Sequence, residues 1–177
     1  PLFTKNISMI DHFLFKYDII KIINTYKNKE FKLFKIAFIY KDDVESRLGY
    51  YDIAGCFIDM FQSHYLAILY SIIADKIIDF KDNMIIVKNV RKRYDNYGGV
   101  NEIDTYFYLE ILWSGITLIF ESGKALESEK KIIQIDNEEY IIKNYENEYE
   151  LFFKDLIENK NNNSLIFKSE VFWNITN

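Results

Sequence analysis

In the stretch NISMIDHFLFKYDIIKIINTYK, positions 6–27, apolar residues recur at three- and four-residue intervals. Ile7, Ile10, Leu14, Tyr17 and Ile20 or Ile23 then share one stripe, which predicts a helix capped by Asn6. FKLFKIAFIY at 31–40 is dense in aromatic and β-branched residues and stops at the polar KDDVES, the pattern of a strand running into a turn. From Tyr51 to Phe80 nearly every side is apolar. This predicts one long or two shorter central helices, with Gly55 as a break or a point of close packing.

After Asn83 the period changes to that of strands. MIIVKNVRKRY, EIDTYFYLEILW and GITLIFE read as successive antiparallel strands, the first pair turning at DNYGG, where Asn96 and Gly98-Gly99 supply turn conformations. KIIQIDNEEYII at 131–142 closes as a hairpin about Asp136 and Asn137. From Tyr145 to Lys160 the helical period returns, with Ile142, Tyr145, Tyr149, Phe152, Phe153 and Leu156 on one face, and NNNS ends it before a last strand in LIFKSEVFW. Helices first, then strands, then a late helix imply an α+β fold: N-terminal and central helices packed with a mainly antiparallel sheet. The chain has 177 residues, 49% of them hydrophobic, with one proline and no linker-like tract, so residues 1–177 read as a single compact domain.

Cys56 is the only cysteine, which excludes an internal disulfide and fits a reducing cytoplasm. No signal peptide is expected at the N-terminus, whose leading proline fits a trimmed initiator methionine. YLAILYSIIA at 65–74 is about half the length of a membrane span, so it reads as a buried helix.

Motifs that would announce a reaction are missing. The sequence holds no G-x-x-x-x-G-K-[ST], G-x-G-x-x-G or G-x-S-x-G, and neither His12 nor His64 stands at zinc-ligand spacing. The residues therefore imply no metal, no cofactor, no catalytic residue and no enzyme. Cys56 and His64 lie eight apart and could form a nucleophilic pair, but a buried thiol beside a core histidine explains the spacing as well. The carboxylates Asp42, Asp43, Glu102 and Asp104 read as turn or strand-edge residues. Arg91, Lys92 and Arg93 beside Tyr94 and Tyr97 could hold single-stranded nucleic acid, yet protection of a sheet edge by charge is the simpler reading in a chain of net charge -5.

The charge is concentrated in one place. Residues 136–158 hold eight acids and two bases, a net of -6 against -5 for the whole chain. Glu138, Glu139, Tyr140, Tyr145, Glu146, Glu148, Glu150 and Asp155 form the candidate partner-binding surface, in which carboxylates would steer a basic partner and tyrosines anchor it. In NEEYIIKNYENEYE, in its size and in the lack of a catalytic constellation, the chain resembles the small immunity proteins of bacterial contact-dependent growth inhibition and related polymorphic toxin systems. The residue usage of an AT-rich gene adds to the likeness. That resemblance implies a cytoplasmic inhibitor that binds a cognate toxin domain, a basic nuclease and most often a ribonuclease, over or near its active site. Direct nucleic-acid binding and membrane insertion are not expected. A homo-oligomeric structural or phage-derived module is the alternative, with a Cys56/His64 enzyme third.

Overall fold

The computed structural model describes residues 8–9, 11–41, 44–73, 84–143, 150 and 167–168. Among them the chain runs through β1 (Ser8–Met9), α1 (Tyr17–Tyr26), β2 (Leu33–Ile39), α2 (Leu48–Phe57), a π-helix (Ile58–Tyr65), α3 (Leu66–Ile73), β3 (Met84–Lys92), β4 (Ile103–Trp113), β5 (Ile116–Gly123), β6 (Lys130–Ile135), β7 (Glu138–Ile141) and β8 (Phe167–Lys168). The fold class is α+β, as the order of elements implied. Contacts fall into two compact units: Pro1–Lys29, Leu66–Ile77 and Lys143–Asn177 in the first, Glu30–Tyr65 and Ile78–Ile142 in the second.

In the first unit β1 pairs antiparallel with β8, Ser8 opposite Lys168 and Met9 opposite Phe167. The expected helix over 6–27 is therefore much shorter than its apolar stripe. The Asp11 carboxylate accepts from the Phe13 N–H at 2.8 Å and caps a separate 3-10 turn, His12–Phe15. Lys16, at ψ 129, then sets the chain extended, so the α-helix begins only at Tyr17. Asp11 offers a local hydrogen bond that competes with continuous helix, a feature the apolar spacing does not register. Ile19, Ile22 and Ile23 form the buried stripe of α1, and Asn28 (φ 62) turns the chain out of it while donating its N–H to the Ile72 carbonyl at 3.1 Å. Every residue of α3 is buried. Glu45–Ile73 is apolar enough over its length to cross a membrane, but 72% of its most apolar window is buried in the fold, as expected of a core helix.

The second unit is built on a six-stranded sheet in the order β3-β4-β5-β2-β6-β7. All neighbours are antiparallel except β2 and β5, which run parallel with Ile36 opposite Phe120. The anticipated β3–β4–β5 succession is present. Ser114 (φ 49) and Gly115 (φ 77) close β4 onto β5 in a two-residue turn. The hairpin about Asp136 and Asn137 is present too. The Asp136 carboxylate leaves its own turn to accept the N–H groups of Lys32 (2.8 Å) and Leu33 (3.0 Å), fastening the entry to β2.

Along β4 burial alternates strictly: Thr105, Phe107, Leu109, Ile111 and Trp113 are buried, with half-buried Tyr106, Tyr108 and Glu110 between them. The buried face of β4 and β5 meets the end of α2 and the π-helix through aromatic rings. Phe61 stands edge-on to Phe120 at 5.0 Å and Phe57 edge-on to Phe107 at 5.1 Å, pairs that each contribute about 0.5–1.5 kcal/mol beyond simple burial. The Tyr65 hydroxyl donates to the Glu121 carbonyl (2.9 Å) and accepts from the Phe38 N–H (3.2 Å), tying the end of the π-helix to β5 and β2. β3 is a sheet edge, and exposed Lys88, Arg91 and Lys92 along it fit the reading of edge protection by charge.

Candidate functional site

Gly55 sets up the site. Its φ of 67 and ψ of 177 break α2 in a conformation reserved for glycine. A Cβ there would lie 2.4 Å from Asp104 Oδ1, so the glycine serves at once as the break and as the close approach that its place in the apolar run suggested. The Phe57 N–H, left without a helical partner by the break, donates to Asp104 Oδ2 at 2.5 Å. Asp104 is thus neither a turn residue nor an idle strand edge. Beyond the break the chain winds as a π-helix, a geometry found often at functional positions, and carries Asp59 into the interior at 5% exposure.

Asp59 is the hub of a polar cluster. Its Oδ2 accepts from the Tyr51 hydroxyl at 2.9 Å and lies 3.9 Å from the Lys124 ammonium, while Oδ1 accepts from the Arg47 guanidinium at 3.4 Å. Lys124, the residue after β5, is only 2% exposed. Its ammonium stands 3.6 Å from the centre of the Tyr40 ring and 5.3 Å from that of Tyr51, and Lys131 reaches 4.8 Å from the same Tyr40 ring. Burial of a lysine is tolerated only with this kind of compensation, a carboxylate beside it and π-faces around it. Burial first, then the nearby Asp59, raises the Tyr50 hydroxyl above the ordinary phenol value. A carboxylate that accepts, an ammonium that donates and phenols that do either are the groups that grip a neutral polyhydroxy molecule.

A second buried carboxylate shapes the neighbouring loop. Asp52 accepts from the Val100 N–H (3.2 Å), the Asn101 N–H (3.1 Å) and the Asn101 side-chain amide (3.0 Å), and so pins the segment that follows Tyr94 and Tyr97.

Cys56 is fully buried, and its thiol is pushed up to about 12 by burial, with Asp104 and Asp59 adding to a shift that the Ser122 hydroxyl and Lys124 oppose. It is a packing residue and not half of a nucleophilic Cys56/His64 pair. Reaction with a thiol reagent at pH 8 should run at least ~10³-fold slower in the native protein than after denaturation, because only the thiolate reacts. Labelling of native Cys56 at the rate of a free thiol would contradict this. His64, in the last turn of the π-helix, is half-buried, and His12 is half-buried in its 3-10 turn.

The surface singled out from charge lies elsewhere. Glu138, Glu139 and Tyr140 are on the edge strand β7, where the two glutamates are exposed and the Tyr140 hydroxyl donates to Glu138. Glu150 is exposed. Tyr145, Glu146, Glu148 and Asp155, with Asp42 and Asp43, lie outside the described residues. The buried cluster contains none of the eight residues of the candidate surface. Its signal in the sequence was a single carboxylate, Asp59, set between Ile58 and Met60 in an apolar helix, a position a carboxylate takes only when paired.

Residues 15–93 match the family model described as glucose-6-phosphate dehydrogenase, C-terminal domain. The match covers less than half of the chain and includes Tyr40, Arg47, Tyr51 and Asp59. Among solved structures, a glucose-6-phosphate dehydrogenase in complex with its substrate glucose-6-phosphate is similar, with a TM-score of 0.55 at 20% identity, covering 76% of this chain and 37% of that one. The glucose-6-phosphate 1-dehydrogenase of Mycobacterium avium has a TM-score of 0.52 at 16% identity, covering 82% and 40%. The chain thus shares its fold with these proteins and spans about two fifths of their length. No curated protein matches.

These findings overturn the immunity-protein reading and its toxin or nuclease partner, and with them the expectation that the chain is not an enzyme. The likeness is one of fold, carried by residues from separate segments that no short motif announces. The acidic stretch is conspicuous because it is contiguous.

Proposed function

We propose that the second unit binds the sugar of a sugar phosphate at the Asp59–Lys124 cluster, and that the chain is the substrate-holding part of an oxidoreductase of the glucose-6-phosphate dehydrogenase kind. The observation that carries this reading is the buried pair itself. A lysine and an aspartate held 3.9 Å apart among tyrosines, on a fold shared with an enzyme whose structure contains glucose-6-phosphate, form a donor and acceptor set matched to sugar hydroxyls. Asp59 accepts from a hydroxyl, Lys124 donates to the next, and Tyr51 holds Asp59 in orientation. A dinucleotide hydride acceptor does not fit these residues, since they lack the glycine-rich turn that cradles a pyrophosphate. The step assigned here is therefore binding. A free buried thiol and the sugar-phosphate chemistry favour the cytoplasm as its location.

Calorimetric titration tests the reading. Glucose 6-phosphate should bind at one site with a Kd of about 1 mM or tighter. The double variant Asp59→Asn with Lys124→Met, which removes both charges together, should abolish that binding while the protein stays folded. Absence of saturable binding to the parent chain would refute the proposal.

A further inference from the structure

The two edges of the six-stranded sheet carry opposite charge. β3 forms one edge, where Lys88, Arg91 and Lys92 are exposed and no acidic residue occurs in Met84–Lys92. β7 forms the other, with Glu138 and Glu139 exposed and no basic residue in Glu138–Ile141. Glu139 enters no ion pair or side-chain hydrogen bond among the described residues, and Lys88 meets the Tyr108 ring at 5.6 Å. Apolar side chains stand beside these charges: Val90 on β3 is 40% exposed and Ile141 on β7 is 69% exposed. An edge strand directs N–H and C=O groups outward, a template for another strand that native proteins block with charge. Here charge repels β3 from β3 and β7 from β7. It attracts β3 to β7.

Register supplies the direction and the face. Four antiparallel pairings and one parallel pairing separate the two edges, so β3 and β7 run the same way. The row of residues across the sheet from Lys88 ends at Ile141, and the adjacent row on that face, from Ile86, ends at Glu139. Lys88, Val90, Glu139 and Ile141 therefore share one face. A bulge between Val90 and Arg91 ends the regular ladder, which leaves the stretch up to Val90 open to a new strand. A second copy set beside the first in the same orientation, and slid two residues along the strand, brings its Glu139 against Lys88 and its Ile141 against Val90.

We infer that the chain associates head to tail with further copies of itself, β7 of one pairing in parallel with β3 of the next. The contact is heterologous, so a third copy adds as the second did. A short ladder with one ion pair and one apolar pair is weak, with a Kd of about 0.1–1 mM.

Sedimentation equilibrium of the full chain tests this at about 0.15 M salt, where charges beyond about 8 Å are screened and contacting ones are not. The average mass should rise with concentration past that of a dimer. Lys88→Glu and Glu139→Lys should each weaken association about tenfold, since each sets like charges face to face. The double variant carrying both substitutions restores opposite charges across the contact and should associate as the parent does. A parent that stays monomeric up to about 1 mM overturns the inference. So does association that either single variant leaves unchanged, or that the double variant fails to restore. Growth that stops at a dimer and ignores Glu139→Lys would mean β3 pairing with itself, and overturns it too.

Discussion

Asp59→Ala is expected to destabilise the protein by about 3–5 kcal/mol, the cost of breaking a buried ion pair by removing one of its members. Lys124 is only 2% exposed, and the Asp59 carboxylate lies 3.9 Å from its ammonium. Loss of Asp59 also removes the hydrogen bonds that the Tyr51 hydroxyl and the Arg47 guanidinium donate to it. The π-faces of Tyr40 and Tyr51 remain, but a cation–π contact is worth about 0.5–2 kcal/mol and replaces only part of the loss. Removing both charges with Asp59→Asn and Lys124→Met should cost far less than Asp59→Ala alone, within about 1–2 kcal/mol of the parent, since a buried ion pair contributes little net stability as a unit. Urea unfolding of the three proteins decides the matter. Equal costs for single and double variants would show that the pair is not coupled in the folded state.

Gly55→Ala should cost about 3 kcal/mol or more. Two effects add. At φ 67 and ψ 177 any side chain is strained, by about 1–3 kcal/mol. The new Cβ would also sit 2.4 Å from Asp104 Oδ1 and 2.8 Å from Ile103 Cγ1, which pushes the carboxylate away from the Phe57 N–H that it serves. A hydrogen bond to a charged group contributes about 1.5–3 kcal/mol. Gly49, in the same helix, is the control: it is exposed, a Cβ there meets nothing within 4 Å, and Gly49→Ala should stabilise by about 0.5–1 kcal/mol through helix propensity alone. Denaturant midpoints that shift the same way for both glycines would contradict the account. Because Gly55 directs the chain into the π-helix bearing Asp59, its variant should lose sugar-phosphate binding as well.

The sheet was largely legible because its determinants are local. Period-two burial marks β4, and turn residues mark the β4–β5 and β6–β7 hairpins. The parallel pairing of β2 with β5 was not, since alternation assigns a face to each strand but no partner. Apolar spacing extended the first helix backward to Asn6, whereas a single capping carboxylate, Asp11, ends that continuity. Gly55 was legible as a special position. Its partner Asp104 was not, because the two stand far apart in sequence and meet only when α2 lies on β4.

The site follows the same logic. Tyr40, Arg47, Tyr51, Asp59, Lys124 and Lys131 come from β-strand ends, two helices and a loop, and nothing in their spacing relates them. Charge counted along the chain instead drew attention to residues 136–158, whose described glutamates at 138 and 139 are exposed on an edge strand. Contiguous charge is visible in a sequence; a buried pair assembled by topology is not. What the sequence did offer was Asp59 inside an apolar helix, a costly placement that asks for a partner.

A crystal structure of the chain with glucose 6-phosphate would test the central claim most directly. The account predicts sugar hydroxyls within hydrogen-bonding distance of the Asp59 carboxylate and the Lys124 ammonium, about 2.7–3.2 Å. A sugar phosphate bound away from both groups, or an unliganded cluster under saturating ligand, would contradict it.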